Sequence, residues 1–247
     1  MGRSPTRKRV LSLAACGLLA AGLSACESDN VDNKADLIAG KKAFSQKCGS
    51  CHVLERAGTK GAQGPNLDEA FRQALRDGFG RDTIHGVVDD QISHPATVPK
   101  DSPAYMPANL VSGKMASDVA AYVAFVAAKP GKDEGKLQSA VPAAGAGKPV
   151  AAKDGSLALP ADPNGQLAYI TKKATAPAGK LEIVSKNEAS IPHDIAVEGN
   201  GVNEKGKTVQ KGGTSKVSVD LKGGEYTYFC TVSGHREGGM EGKLTVK

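Results

Sequence analysis

Glu225-Tyr-Thr-Tyr-Phe-Cys230-Thr-Val-Ser-Gly-His235-Arg-Glu-Gly-Gly-Met240-Glu-Gly-Lys-Leu-Thr-Val246 decides the reading of the second half of the chain. Its two flanks alternate apolar and polar residues, which is the period of a half-buried strand. Between them, one glycine-bearing loop carries a thiol, an imidazole and a thioether. Upstream, residues 181–185, 194–198 and 215–220 alternate in the same way and are separated by Gly/Asn/Lys turns. Several short strands in about 90 residues are the pattern of a two-sheet β-sandwich.

A second imidazole, His193, follows Pro192 at the edge of one of these strands. Two histidines, one cysteine and a weak axial methionine form a blue-copper electron-transfer site, so His193, Cys230, His235 and Met240 are the expected ligands of one type 1 copper. The soft sulfurs suit Cu(I) and the imidazoles suit Cu(II). This half resembles the cupredoxins, with Greek-key sandwich topology implied. The Cys-x4-His-x4-Met spacing is most similar to the auracyanin and rusticyanin branch, since plastocyanin has a shorter Cys-to-His gap. Asp194 departs from the pattern, because the residue after the first histidine is commonly Asn and helps pin the cysteine loop. The resemblance also implies that His235 is an exposed electron port. A binuclear copper site would need a second cysteine in the loop, and position 234 is Gly.

The first half carries Cys48-Gly-Ser-Cys51-His52. Cys-x-x-Cys-His is the attachment sequence of c-type haem: the thiols add to the vinyl groups and the histidine reaches the iron. One covalent haem c on Cys48, Cys51 and His52 is therefore expected. A helix capped by Asp32 or Asn33 and running to about Lys47 precedes the motif, and a last helix over about 116–128 carries Val119, Tyr122, Val123 and Val126 at helical spacing. A Gly-rich loop ending Gly64-Pro65-Asn66-Leu67 follows the motif. This half resembles all-α class I cytochrome c. The resemblance implies that the Pro65 carbonyl accepts the His52 ring N–H, and that the two helices cross with Gly40 and Phe44 meeting Tyr122. It also implies that Met106, in the Pro-rich stretch before the last helix, is the distal ligand. His85 and His94 remain alternative distal ligands, and Met115 is expected to be packing.

Residues 1–9 are basic and 10–25 apolar, ending Leu23-Ser24-Ala25-Cys26. That order is a secretory signal. Leu-Ser-Ala-Cys resembles the lipobox of bacterial lipoproteins, which implies cleavage before Cys26 and its lipidation. The expected organisation is a signal at 1–25, tether and cytochrome domain at 26–130, a flexible linker at 131–155 and a cupredoxin domain at 156–247. The linker is rich in Gly, Ala, Pro and Lys, so no packed core is expected there, and about 25 such residues span about 25–30 Å.

Of the net charge of +6, four basic residues lie in the signal; the rest of the 247-residue chain has 28 basic against 26 acidic side chains. That balance argues against nucleic-acid binding. Together the resemblances imply an electron carrier, not an enzyme, anchored on the extracytoplasmic face of a bacterial membrane. It would pass single electrons between respiratory or photosynthetic partners such as a quinol-oxidising complex and a terminal oxidase. A haem-based redox enzyme would need an open iron position, a fused copper nitrite reductase would need a second cupredoxin domain, and a copper storage or delivery protein would need exposed Met or His clusters. The chain has four methionines and five histidines in all.

Overall fold

A computed structural model describes residues 34–102 and 104–247. The expected lipoprotein signal, Cys26 and the cap expected at Asp32 or Asn33 lie outside the described residues.

The first domain is helical. Helix α1 (Leu37–Lys47) begins at Asp36, whose carboxylate accepts the backbone N–H groups of Ile38 and Ala39, each at 3.0 Å. The cap is thus Asp36, and the helix starts later than the sequence reading placed it. A two-stranded ribbon, β1 (Val53–Leu54) and β2 (Thr59–Lys60), follows, then the short helices α2 (Leu67–Ala70) and α3 (Arg72–Arg76). Next come α4 (Arg81–Ser93) and α5 (Lys114–Val126). Helices α1 and α5 cross closely. A Cβ at Gly40 would collide with the Asp118 carbonyl, so only glycine lets the backbones approach this far. Beside that crossing the Phe44 and Tyr122 rings meet with centroids 6.4 Å apart and tilted by 54°. Helix α4, absent from the sequence reading, buries Ile84 and Ile92, and its Arg81 donates to the Ala124 and Ala127 carbonyls at the end of α5. A cation there satisfies carbonyls that have no helical partner.

The second domain is the expected two-sheet sandwich. Its strands are β3 (Val150–Ala151), β4 (Ser156–Ala158), β5 (Lys173–Ala176), β6 (Gly179–Lys186), β7 (Ala196–Gly199), β8 (Val202–Lys205), β9 (Thr214–Leu221), β10 (Gly224–Phe229) and β11 (Glu241–Val246). One sheet has the order β3-β5-β11-β10-β7-β8 and the other β4-β6-β9. The two flanks of the ligand loop pair antiparallel from Gly224↔Val246 to Phe229↔Glu241, so the loop is held at both ends by one ladder. Leu157, Ile183, Ile195, Val197 and Leu244 fill the space between the sheets. Tyr169 and Tyr228 meet edge to face at 5.4 Å, and their buried hydroxyls donate to the Asp194 and Thr171 carbonyls. Two aromatic rings thus pack without leaving a polar atom unpaired.

Residues 131–155, expected to be an unpacked linker, form an ordered strap. Asp133 is buried, accepts the Tyr122 hydroxyl at 2.7 Å and pairs with Lys41 at 2.9 Å and Arg56 at 3.5 Å. Burial, with Asp133 beside it, pushes the Tyr122 phenol far above its ordinary range. Lys41 also donates to the Leu137 carbonyl from helix α6 (Gly135–Ser139), Val141 is buried, and β3 joins the sandwich sheet through β5. The composition concealed this because a few anchored side chains, not a periodic apolar face, dock the segment.

Removing one partner of a buried ion pair strands the other charge and costs about 3–5 kcal/mol. Asp133→Ala is expected to destabilise the helical domain by that amount in denaturant unfolding followed by helix signal. A loss below about 1 kcal/mol, the scale of an exposed pair, would contradict the strap's role.

Candidate functional site

The end of α1 presents the first donor set. Cys48 closes the helix through its N–H to the Phe44 carbonyl, and the Cys51 and His52 N–H groups both turn back to the Cys48 carbonyl, at 3.0 and 2.9 Å. One turn therefore places both thiols and the imidazole on the wall of a single cavity of about 440 Å³. Its lining is mostly apolar and includes Phe44 of α1, Val88 and Ile92 of α4, and Val119 and Val123 of α5. A cavity of that size and character suits a large flat apolar ligand. Burial, with Cys51 next to it, pushes the Cys48 thiol up to about 12, an environment that favours a neutral thioether over a thiolate. These residues fit one covalent haem c.

The His52 Nδ1 lies 2.9 Å from the Pro65 carbonyl oxygen. A carbonyl can only accept, so Nδ1 carries the proton and Nε2 keeps its lone pair for iron. Met106 lines the same cavity. The alternatives do not. His85 lies 3.4 Å from the Ser117 hydroxyl and His94 pairs with Asp90 on the surface; Met115, expected to pack, is instead exposed at the first turn of α5. The contribution of α4 to this cavity was missed, although Ile84, Val88 and Ile92 recur every four residues, a legible helical stripe.

The second donor set sits at one end of the sandwich. The Cys230 Sγ lies 3.5 Å from His235 Nδ1 and 3.9 Å from His193 Nδ1, and the three ligand atoms all fall within 4.8 Å of one another. Met240 is fully buried, and its backbone exchanges bonds with both Cys230 and His235, which places the thioether-bearing residue in the same knot. Two imidazole nitrogens and one thiol converging on one point, beside a buried thioether, are a soft metal's donor set, and the residues fit type 1 copper. Burial depresses His193 to about 4, with His235 adding to it, lowers His235 and pushes Cys230 up to about 12. Neutral imidazoles are ready to bind, and a bound cation reverses the thiol's preference. His235, expected to be an exposed port, is only 8% exposed.

Asp194 supplies the pinning that its departure from Asn put in question. Oδ1 accepts the Thr231 N–H at 2.6 Å, while Oδ2 accepts the Thr231 and Thr208 hydroxyls at 2.7 and 2.9 Å. Its own N–H points at the Cys230 sulfur, 3.5 Å away. Burial works against the charged carboxylate, but these hydrogen bonds hold its pKa below the ordinary value. Asp194→Ala would leave buried donors unpaired, at about 1–3 kcal/mol in unfolding experiments. Asp194→Asn keeps an acceptor for the Thr231 N–H and is expected to lose less than about 1 kcal/mol. Equal losses in the two variants would contradict this assignment.

Residues 37–127 match the cytochrome c family, and residues 157–247 match the copper binding proteins of the plastocyanin/azurin family. Among solved structures the chain is similar to dithionite-reduced auracyanin from the photosynthetic bacterium Roseiflexus castenholzii, at 21% identity and TM-score 0.35, over 39% of this chain and 99% of that one. It is similar also to auracyanin B, at 20% identity and TM-score 0.34, over 37% and 88%. A reduced amicyanin variant gives 20% identity and TM-score 0.30, over 39% and 86%. No protein of curated function matches the chain. The chain is a cytochrome c domain for haem c followed by a cupredoxin domain for type 1 copper, and it is a redox electron-transfer protein.

Proposed function

We propose that the protein is a two-centre electron carrier, lipid-anchored through Cys26 on the extracytoplasmic side of a bacterial membrane. It relays single electrons between a quinol-oxidising complex and an acceptor such as a terminal oxidase. The observation that carries this reading is the donor arrangement: two axial donors, His52 and Met106, line one cavity, and the copper donors are almost entirely withdrawn from water. A carrier needs centres that change charge without opening to substrate, whereas a haem enzyme needs a free iron position.

Haem and copper each supply a one-electron couple when bound. The residues around them hold and shield. Cys48 and Cys51 would hold the porphyrin through thioethers, Pro65 fixes the tautomer and orientation of His52, and the α4 and α5 side chains would exclude water. On the copper side, the β10–β11 ladder fixes both ends of the loop and Asp194 fixes its start. Side chains that cannot relax keep one geometry in both redox states. No helix among the described residues is long and apolar enough to cross a membrane. The proposed anchor is the acyl-modified Cys26, and more than one acyl chain makes such attachment stable.

Met106→Ala opens the distal iron position. The expected result is carbon monoxide binding by the reduced variant and none by the parent; ready binding by the parent would move the reading toward haem catalysis. For the anchor, Cys26→Ser is expected to shift the protein from the membrane to the soluble fraction, and an unchanged distribution would overturn lipidation at that residue.

A further inference from the structure

We propose that the two domains form one fixed body, with the haem-attachment turn docked on the loops that carry the copper imidazoles, so that an electron passes between the two centres within one chain. The inference rests on the two-centre reading above and names the internal partner of the copper loops.

The contacts lie close to both donor sets. The Ser190 hydroxyl donates to the Gln46 carbonyl at 3.0 Å. Gln46 is two residues before Cys48, and Ser190 is three before His193. One hydrogen bond therefore joins the backbone leading to a haem thioether with the backbone leading to a copper imidazole. Next to it, Gly165 presses on Gln46 with φ +74°, and a Cβ there would lie 2.8 Å from the Gln46 carbonyl oxygen and 2.9 Å from its Cα. Both the conformation and the space demand glycine. A third contact encloses a cavity of about 20 Å³ between Gly49 and Thr59 on the cytochrome side and Leu167 and Gly238 on the copper side. That volume holds about one water. Gly49 belongs to the haem motif and Gly238 to the ligand loop, so both imidazole-bearing loops meet the cytochrome domain.

The strap holds this arrangement. Asp133 ties its start to the cytochrome, and the buried Gln166 amide donates to the Pro142 carbonyl at 2.7 Å, tying its middle to the copper domain beside Gly165. A free linker would leave the domains at about millimolar effective concentration, meeting and parting. Anchors at both ends remove the parting. The redox step balances by itself: one metal loses one electron and the other gains it, with no bond made, no proton moved and no third reactant.

The test uses the mature chain loaded with haem and copper. Its haem and copper–thiolate bands are recorded first, and absence of either band would refute the two-centre reading, not the docking. An electron is then injected by pulse radiolysis, and re-equilibration is followed in both bands. Docking predicts a first-order exchange independent of protein concentration and of solvent viscosity, together with small-angle scattering from a single compact particle. Ser190→Arg places a long cation in the crossing, and Gln166→Ala removes the strap's tie to the copper domain beside that crossing. Each is expected to keep both bands, expand the scattering particle and make the exchange slow as viscosity rises. A parent rate that already falls with viscosity, or parent scattering from two separately moving bodies, would overturn the proposal. So would variants that expand yet exchange electrons as fast as the parent.

Discussion

Asp133 sits at 1% side-chain exposure, between Lys41 and Arg56 and beneath the Tyr122 hydroxyl. Each of those groups belongs to the frame of the haem cavity: Lys41 on the helix that ends at Cys48, Arg56 on the turn after the motif, Tyr122 on the helix that crosses α1. A carboxylate withdrawn from water is tolerated only when its partners are fixed around it. The constraint therefore runs both ways. The helical frame orders the strap, and the strap fixes where the sandwich begins. From Asp133 the chain continues through Leu137 and Val141 to β3, which adds a short parallel edge to the sheet carrying the copper loop.

The two donor sets obey one physical rule in different materials. In the helical domain, a C-terminal turn and the Pro65 carbonyl aim an imidazole. In the sandwich, an antiparallel ladder and a buried carboxylate aim a thiol. In both, the polar atoms that orient the donors are themselves satisfied by backbone or hydroxyl groups, so the donors have little freedom to drift. Among the described buried groups, His193 Nε2 lacks a partner even though the ring's other nitrogen faces the thiol. That ring is held by packing and by its Nδ1 contact with the Cys230 sulfur.

Much of this was legible because the chemistry is local in sequence. Cys48, Cys51 and His52 lie within one turn, and Cys230, His235 and Met240 within one loop, so spacing alone placed each set together. Met106 against His85 and His94 could not be separated that way, because only the path of the chain between α4 and α5 decides which side chain reaches the cavity. Asp194 shows the limit of reading by likeness: a residue that differs from the usual Asn makes the pinning bonds through its two oxygens. The strap escaped because composition averages over 131–155, while its order depends on a handful of residues such as Asp133, Leu137 and Val141. Strands β3 and β4 are too short to show a period.

The central claim is that one chain holds two independent one-electron centres. An anaerobic optical redox titration of the loaded protein, read together in the haem bands and the copper–thiolate band, tests it most directly. The account predicts two reversible one-electron steps, one in each band, summing to two electrons per chain. A copper–thiolate band that never forms, or a titration that consumes one electron per chain, would contradict it.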